Sequence, residues 1–159
     1  MADMDYSPVR DMRGLMAGHG SGAASLLAVL EEVQKRYRYL PRDVLILLSE
    51  RLDIPLSQVY SVATFYNAFS LKPQGMHKFQ VCTGTACHVR GARQVLERLE
   101  TQLGICSGQT SADLEVTLET VNCLGACALG PVVVADGQYV RHMTAPQVDR
   151  LLRRIKRDA

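Results

Sequence analysis

The apolar positions of this chain keep two different periods, one on each side of Pro73 and Gly75. From Ala23, Leu26, Leu27, Leu30, Val33 and Tyr37 recur at helical spacing, with Glu31, Glu32, Lys35 and Arg36 on the opposite side. Pro41 suits a helix start, and Val44, Leu45, Leu48 and Leu52 form a second apolar stripe. Pro55 breaks that helix, and Val59, Ala63 and Tyr66 lie on a third stripe. Residues 23–73 therefore read as a small helical bundle, closed by Pro73 and Gly75. Residues 1–22 carry few periodic apolar positions and read as a mobile tail.

Beyond the boundary the period shortens. His77, Phe79 and Val81 alternate with Lys78 and Gln80, a strand that runs straight into Cys82. A helix follows Cys87, with Ala92, Val95, Leu96, Leu99 and Leu103 on one face and Gly104 at its end. Leu114, Val116 and Leu118 alternate with Glu115, Thr117 and Glu119, a half-buried strand leading toward Cys123. Val132 to Ala135, the turn pair Asp136-Gly137, and Gln138 to Val140 form a hairpin. Thr144 caps a last helix that turns Val148, Leu151, Leu152 and Ile155 inward; its other side and end hold Arg150, Arg153, Arg154, Lys156 and Arg157. Residues 76–159 are thus one compact α/β layer, and the whole chain is α/β with an N-terminal bundle.

Composition narrows the function classes. A net charge of +2, from 18 basic and 16 acidic residues, is too even to indicate nucleic acid or an acidic membrane surface. No run reaches the length of an apolar membrane span, so no membrane contact is expected. Leu15 to Leu30 is the one candidate leader, but Gly14, Gly18, Gly20 and Gly22 interrupt it and Glu31-Glu32 follow at once. A cytoplasmic location is the expectation, and there five cysteines read as metal ligands or reduced thiols.

Four of those cysteines fall in two short runs, Cys82-Thr83-Gly84-Thr85-Ala86-Cys87 and Cys123-Leu124-Gly125-Ala126-Cys127. Each run follows a strand pattern, which places both in loops at a sheet edge with their thiolates free to share one inorganic centre. A structural zinc site is the competing reading, since zinc knuckles also use four cysteines. Their usual x2 spacing is absent here, however, while unequal x4 and x3 loops suit a larger [2Fe-2S] cluster that takes two cysteines on each iron. A redox dithiol is disfavoured because no C-x-x-C is present. Thr83, Gly84, Thr85 and Gly125 are positioned to donate backbone N–H groups, or threonine hydroxyls, to the sulfurs. Pro131 reads as shaping the exit from Cys127, Cys106 as an ordinary free thiol, and His77 and His88 as neighbours of the first run rather than ligands. Residues 42–66 also mimic a helix-turn-helix around Asp53-Ile54-Pro55, but the second helix lacks Lys and Arg. Tyr60, Phe65, Tyr66 and Phe69 suggest instead an apolar contact with the second domain or a partner.

The segment from Leu26 to Ile155 resembles the thioredoxin-like [2Fe-2S] subunit of the NADH dehydrogenase module. The resemblance rests on Tyr39-Leu40-Pro41, Val62-Ala63-Thr64-Phe65-Tyr66, the Cys82/Cys87 run, and Val121-Asn122-Cys123-Leu124-Gly125-Ala126-Cys127. It implies a thioredoxin-like second half, one [2Fe-2S] cluster on Cys82, Cys87, Cys123 and Cys127, and an electron-transfer role without bond-making chemistry. The family includes the NuoE-type subunit of respiratory complex I, and the equivalent subunits of NAD(P)-linked hydrogenases and NAD-dependent formate dehydrogenases. Ala128-Leu129-Gly130-Pro131 stands where complex I subunits more typically show Asn-Ala-Pro, which leans toward the hydrogenase, formate dehydrogenase and electron-bifurcating branches. The chain has no dinucleotide Gly fingerprint, so FMN and NAD(P)H are expected on a flavin-bearing partner subunit, with further iron–sulfur subunits beyond it.

Overall fold

The computed structural model describes residues 23–158, and their side chains from Ser25 to Ile155. The expected tail, residues 1–22, lies outside the described residues. The chain divides between Pro73 and Gln74 into two compact units.

The first unit holds α1 (Ala23–Tyr37), α2 (Arg42–Leu52) and α3 (Leu56–Phe65). Pro41 and Pro55 each occupy the N-cap of the helix that follows, where a missing N–H costs nothing. Asp53 ends α2 in the left-handed conformation, and its amide donates to the Ser49 carbonyl. Leu26, Val29, Leu30 and Val33 pack with Leu40, Val44, Leu45, Leu48, Leu52, Ile54, Val59 and Ala63 in one buried core. Two expectations need correction. Tyr66 lies beyond the end of α3 and is exposed, and Leu27 is turned outward while Val29 takes the inner position.

The second unit is built on a five-stranded sheet in the order β2-β3-β1-β4-β5. Its elements are β1 (His77–Cys82), α4 (Thr85–Val89), α5 (Ala92–Leu103), β2 (Gln109–Thr110), β3 (Val116–Val121), β4 (Val133–Ala135), β5 (Gln138–Val140) and α6 (Ala145–Asp158). The parallel pairing of β1 with β3 sets Cys82 beside Val121, so both strands end at the same level. A parallel pair needs a crossover, which α4 and α5 supply. On the other side β4 runs antiparallel, with Phe79 opposite Ala135 and Val81 opposite Val133. Asp136 and Gly137 both take positive φ, the turn required by a two-residue hairpin, and Ala135 pairs with Gln138 across it. The Asp136 carboxylate accepts the Lys78 amide at 2.7 Å and meets His77 Nδ1 at 2.8 Å, which fastens the hairpin to β1.

The core of this unit joins Phe79, Val81 and Leu118 of the sheet to Val95 and Leu99 of α5 and Val148 and Leu152 of α6. Arg98 of α5 grips Asp149 of α6 through two hydrogen bonds of 3.0 and 2.8 Å, and the guanidinium holds that carboxyl below its usual range. Thr144 donates from its amide, at 2.9 Å, to the Gln147 side chain, the reciprocal half of a capping box at the start of α6.

The third strand departs from its expected alternation. Leu114 is exposed with φ 56°, part of the turn before β3. Thr117 is buried although its place in the alternation made it polar-outward. Its hydroxyl accepts the Gly75 amide at 2.7 Å and meets the Thr110 hydroxyl at 2.9 Å, so the burial is satisfied. The short β2, carrying Thr110, left no periodic signal because two residues are too few to show one.

Candidate metal centre

The four paired cysteines meet where β1 and β3 end. Cys82 is the last residue of the central strand rather than a loop residue, and Cys87 sits in the short helix α4, started by Thr85 behind the N-cap Gly84. Both are buried, whereas Cys123 and Cys127 are exposed. The expected pair of edge loops is therefore one buried scaffold on regular structure and one irregular segment laid over it. Cys127 opens a single 3-10 turn, Cys127–Leu129, that leads through Gly130-Pro131 into β4.

Backbone amides converge on the sulfurs. Those of Gly84 and Leu124 donate to Cys82, that of Val132 donates to Cys87, and the Gly125 amide stands 3.4 Å from Cys123 Sγ. The Gly84 and Gly125 amides are thus directed at cysteine sulfurs. The Thr83 amide and hydroxyl both donate to the Val121 carbonyl instead, at 2.8 and 3.1 Å, tying the end of β1 to the end of β3. Leu124 and Val132 left no mark in the sequence, because an amide donor needs no particular side chain.

Space is as restricted as polarity. A Cβ on Gly84 would stand 2.7 Å from the Asn122 carbonyl oxygen and 3.4 Å from Cys123 Sγ. A Cβ on Gly130 would stand 3.0 Å from Cys87 Sγ. Each glycine lets one cysteine segment approach the other, which is the close approach for which the small residues were singled out.

The electrostatics are those of a crowded anionic site. Burial pushes the Cys82 thiol up, but the amides of Gly84 and Leu124, with Cys87 and Cys123, bring it below the ordinary thiol value. Cys87 is raised, first by burial and then by Cys82 and Cys127, against the Val132 amide. Cys127 is raised first by its hydrogen bond to Cys123 and then by the charge of that neighbour. Cys87 and Cys127 are thus disfavoured as thiolates beside charged neighbours, a repulsion that a bound cation would relieve.

The donor set also fits the size of a cluster. Cys123 Sγ and Cys127 Sγ lie 3.9 Å apart. Two thiolates on one tetrahedral metal atom, each bonded at about 2.3 Å, are separated by about 3.8 Å. The exposed pair thus has the separation of two thiolates on one metal atom.

The other residues weighed from the sequence stand apart. His77 is at the opposite end of β1 from Cys82, His88 is exposed on α4, and Cys106 is exposed beyond α5 with its amide on the Gln109 side chain. Phe65 and Tyr66 are exposed and packed edge to face with ring centroids 5.1 Å apart. One side chain near the site also went unnoticed in the sequence: Arg90, whose Nη1 donates to the carbonyls of Cys127 at 2.9 Å and Ala128 at 3.1 Å. Its place three residues beyond Cys87, on the same turn of helix, was the available signal.

Comparison with known proteins gives one family. The model of the thioredoxin-like [2Fe-2S] ferredoxins matches residues 12–156. The chain is 36% identical over 127 residues to the NADP-reducing hydrogenase subunit HndA of Solidesulfovibrio fructosivorans, covering 80% of this chain and 74% of that one. It is 36% identical over 129 residues to an NADH-quinone oxidoreductase subunit of Rhizobium meliloti (strain 1021), covering 81% and 77%. Among solved structures, a chain of an NAD+-reducing [NiFe]-hydrogenase in the H2-reduced state superposes with TM-score 0.73 at 22% identity, over 88% of this chain and 23% of that longer chain.

Proposed function

The chain belongs to the thioredoxin-like [2Fe-2S] ferredoxin family, and on that premise we propose that Cys82, Cys87, Cys123 and Cys127 hold one [2Fe-2S] cluster. It is an electron-transfer subunit of the kind found in NADH- and NADP-reducing complexes. What carries the ligand assignment is the meeting of the two cysteine pairs at the ends of β1 and β3, with the Cys123 and Cys127 sulfurs 3.9 Å apart. Cys82 and Cys87 form the buried pair and Cys123 and Cys127 the exposed one. When bound, such a cluster accepts and releases a single electron.

The protein's own contribution is to hold and tune. The Gly84, Leu124, Gly125 and Val132 amides favour negative charge on the sulfurs, and so favour the reduced state. Burial of Cys82 and Cys87 keeps water from one side, and the exposed pair leaves the other side open to a redox partner. That partner is a flavin subunit binding FMN and NAD(P)H, with further iron–sulfur subunits beyond it. No described helix is long and apolar enough to cross a membrane.

The parent complex is an NAD(P)-linked hydrogenase, a formate dehydrogenase or an electron-bifurcating assembly, on the Ala128-Leu129-Gly130-Pro131 segment and the hydrogenase relative. The second reading is a component of NADH:quinone oxidoreductase, favoured by a relative of equal identity. Co-purification from the source cells separates them, through a hydrogenase, a formate dehydrogenase or a quinone-reducing arm.

The ligand assignment is tested on the anaerobically isolated chain. A visible absorption band bleached by dithionite, with two irons and two inorganic sulfides per chain, is expected. Cys82→Ser and Cys123→Ser should lose that band and Cys106→Ser should keep it. A colourless chain carrying zinc, or loss of the band in the Cys106 variant, refutes the assignment.

A further inference from the structure

We propose that Arg90 is a positioning residue for the cluster, anchoring the exposed cysteine segment to the buried one and setting a fixed positive charge on the backbone of Cys127. The inference rests on the assignment of the four cysteines as cluster ligands.

The two halves of the site are built unequally. Cys82 is held by the sheet and Cys87 by a helix, so the buried pair has its geometry before any metal arrives. Cys127 lies in a single 3-10 turn between a loop and a short strand. Such a segment has few backbone bonds of its own, here Leu129 to Ala126 at 2.9 Å and Gly130 to Cys127 at 3.3 Å. Arg90 adds two charge-assisted bonds from the other half, at 2.9 Å to the Cys127 carbonyl and 3.1 Å to the Ala128 carbonyl.

The origin of that side chain is itself fixed. Arg90 is the C-cap of α4, its amide donating to the Ala86 carbonyl at 3.3 Å. Gly91 follows with φ 99°, where a side chain would be strained, and turns the backbone at once into α5. The guanidinium therefore projects from the helix of Cys87 onto the segment of Cys127, one ligand's support gripping the other's backbone. Arg93, one turn further, is bound instead to Glu97 at 2.9 Å and makes no such bridge.

Two consequences are separable. As an anchor, Arg90 slows the opening of the exposed pair through which iron is lost. As a charge, it favours the reduced, more negative cluster and so raises its midpoint potential. Because the group is exposed, the second effect is screened, and it should fade toward 1 M salt where the Debye length is about 3 Å.

The test uses the full-length, cluster-loaded chain in three variants: Arg90→Gln, which keeps a donor and removes the charge, Arg90→Lys, which keeps the charge, and Arg93→Gln as a charge control. Redox titration should place Arg90→Gln at a more negative potential than the parent, a gap that shrinks in high salt, with Arg90→Lys near the parent and Arg93→Gln unshifted. Bleaching by a ferrous chelator should run about 10-fold faster in Arg90→Gln. Potentials and bleaching rates equal to the parent in Arg90→Gln, or an equal shift in Arg93→Gln, overturn the proposal. Should Arg90→Gln fail to retain the cluster, the thermal midpoint of the metal-free chain decides: an unchanged midpoint supports the role, and a lowered one marks a merely structural residue and overturns it. A parent chain that binds no cluster would instead overturn the ligand assignment, so the two failures are distinct.

Discussion

Adding one methyl group to Gly84 should dislodge the metal centre while leaving the fold nearly untouched. Gly84 has φ −55° and ψ 153°, a conformation open to any residue, so alanine carries no backbone strain there. By restricting the unfolded chain it should even stabilise by about 0.4–1 kcal/mol. The obstacle is space. The new Cβ would stand 2.7 Å from the Asn122 carbonyl oxygen and 3.2 Å from Cys123 Cβ. Carbon and oxygen pack at about 3.3 Å, so the Asn122–Cys123 backbone must retreat by about 0.6 Å. Overpacking of this kind costs about 1–3 kcal/mol, and after the entropic gain the fold loses about 0–2.6 kcal/mol.

The centre is far less tolerant than the fold. Metal–ligand distances hold to about 0.2 Å, a third of the required retreat, and Gly84 also donates its own amide to Cys82. Disturbing such support lowers metal retention by about 10–100-fold. The assay is iron per chain and the rate of bleaching in chelator, alongside the thermal midpoint of the metal-free chain. Gly137→Ala is the converse control: it sits in the hairpin turn at φ 81° with nothing within 4 Å of its would-be Cβ. That variant should lower the midpoint through strain and leave bleaching unchanged. Full iron content and parental bleaching in Gly84→Ala would refute the close-approach argument.

Other outcomes follow from the packing of the second unit. Leu99→Ala, at a position with no exposed surface on α5, should destabilise by about 2–5 kcal/mol in urea unfolding while the absorption band of the folded fraction stays as in the parent. Asp149→Asn should lower the thermal midpoint at neutral pH. Its carboxyl is held below the usual range by Arg98, so its contribution is present above the ordinary carboxylate value and lost as pH falls through the folded-state value. The gap between variant and parent should therefore close below about pH 4, and a gap that stays constant into acid would show that the pair does not contribute through charge.

Much of the fold was legible because its elements keep an uninterrupted period. The stripe Ala92, Val95, Leu99 led to α5, and the Asp136-Gly137 pair led to the β4–β5 turn. The misreadings share one physical origin, in that periodicity records what is apolar and is blind to polar groups that find partners. Thr117 alternates as a surface residue but is buried because Gly75 and Thr110 satisfy its hydroxyl. Leu114 alternates as a core residue but falls in a turn. The cysteine spacing singled out the candidate ligands, and the small residues between them pointed to close approach. The donors were less visible: Thr83 spends its hydroxyl on Val121, while Leu124 and Val132, whose side chains say nothing, supply amides to sulfur.

The inequality of the two cysteine pairs gives those hidden bonds their importance. A site built wholly on regular structure would be specified by its strands and helices alone, and its ligands would need no further support. Here Cys82 and Cys87 are of that kind, but Cys123 and Cys127 stand on irregular backbone whose position comes from cross-links. Thr83 ties β1 to the Val121 carbonyl just ahead of Cys123, and Arg90 grips the carbonyls at Cys127 and Ala128. Beyond it the His142 amide donates to Leu129 at 2.8 Å and the Met143 amide to Pro131 at 2.9 Å, fastening the exit from the segment. None of these partners is itself a proposed ligand; Arg90 holds the backbone of one, Cys127, and the others hold residues that flank the cysteine segment. The crowded thiolates repel one another until a cation joins them, so these cross-links work against that repulsion in the metal-free chain and with the metal in the loaded one. On the proposed ligand set, assembly of the exposed half would be coupled to metal binding, whereas the buried half needs only β1 and α4.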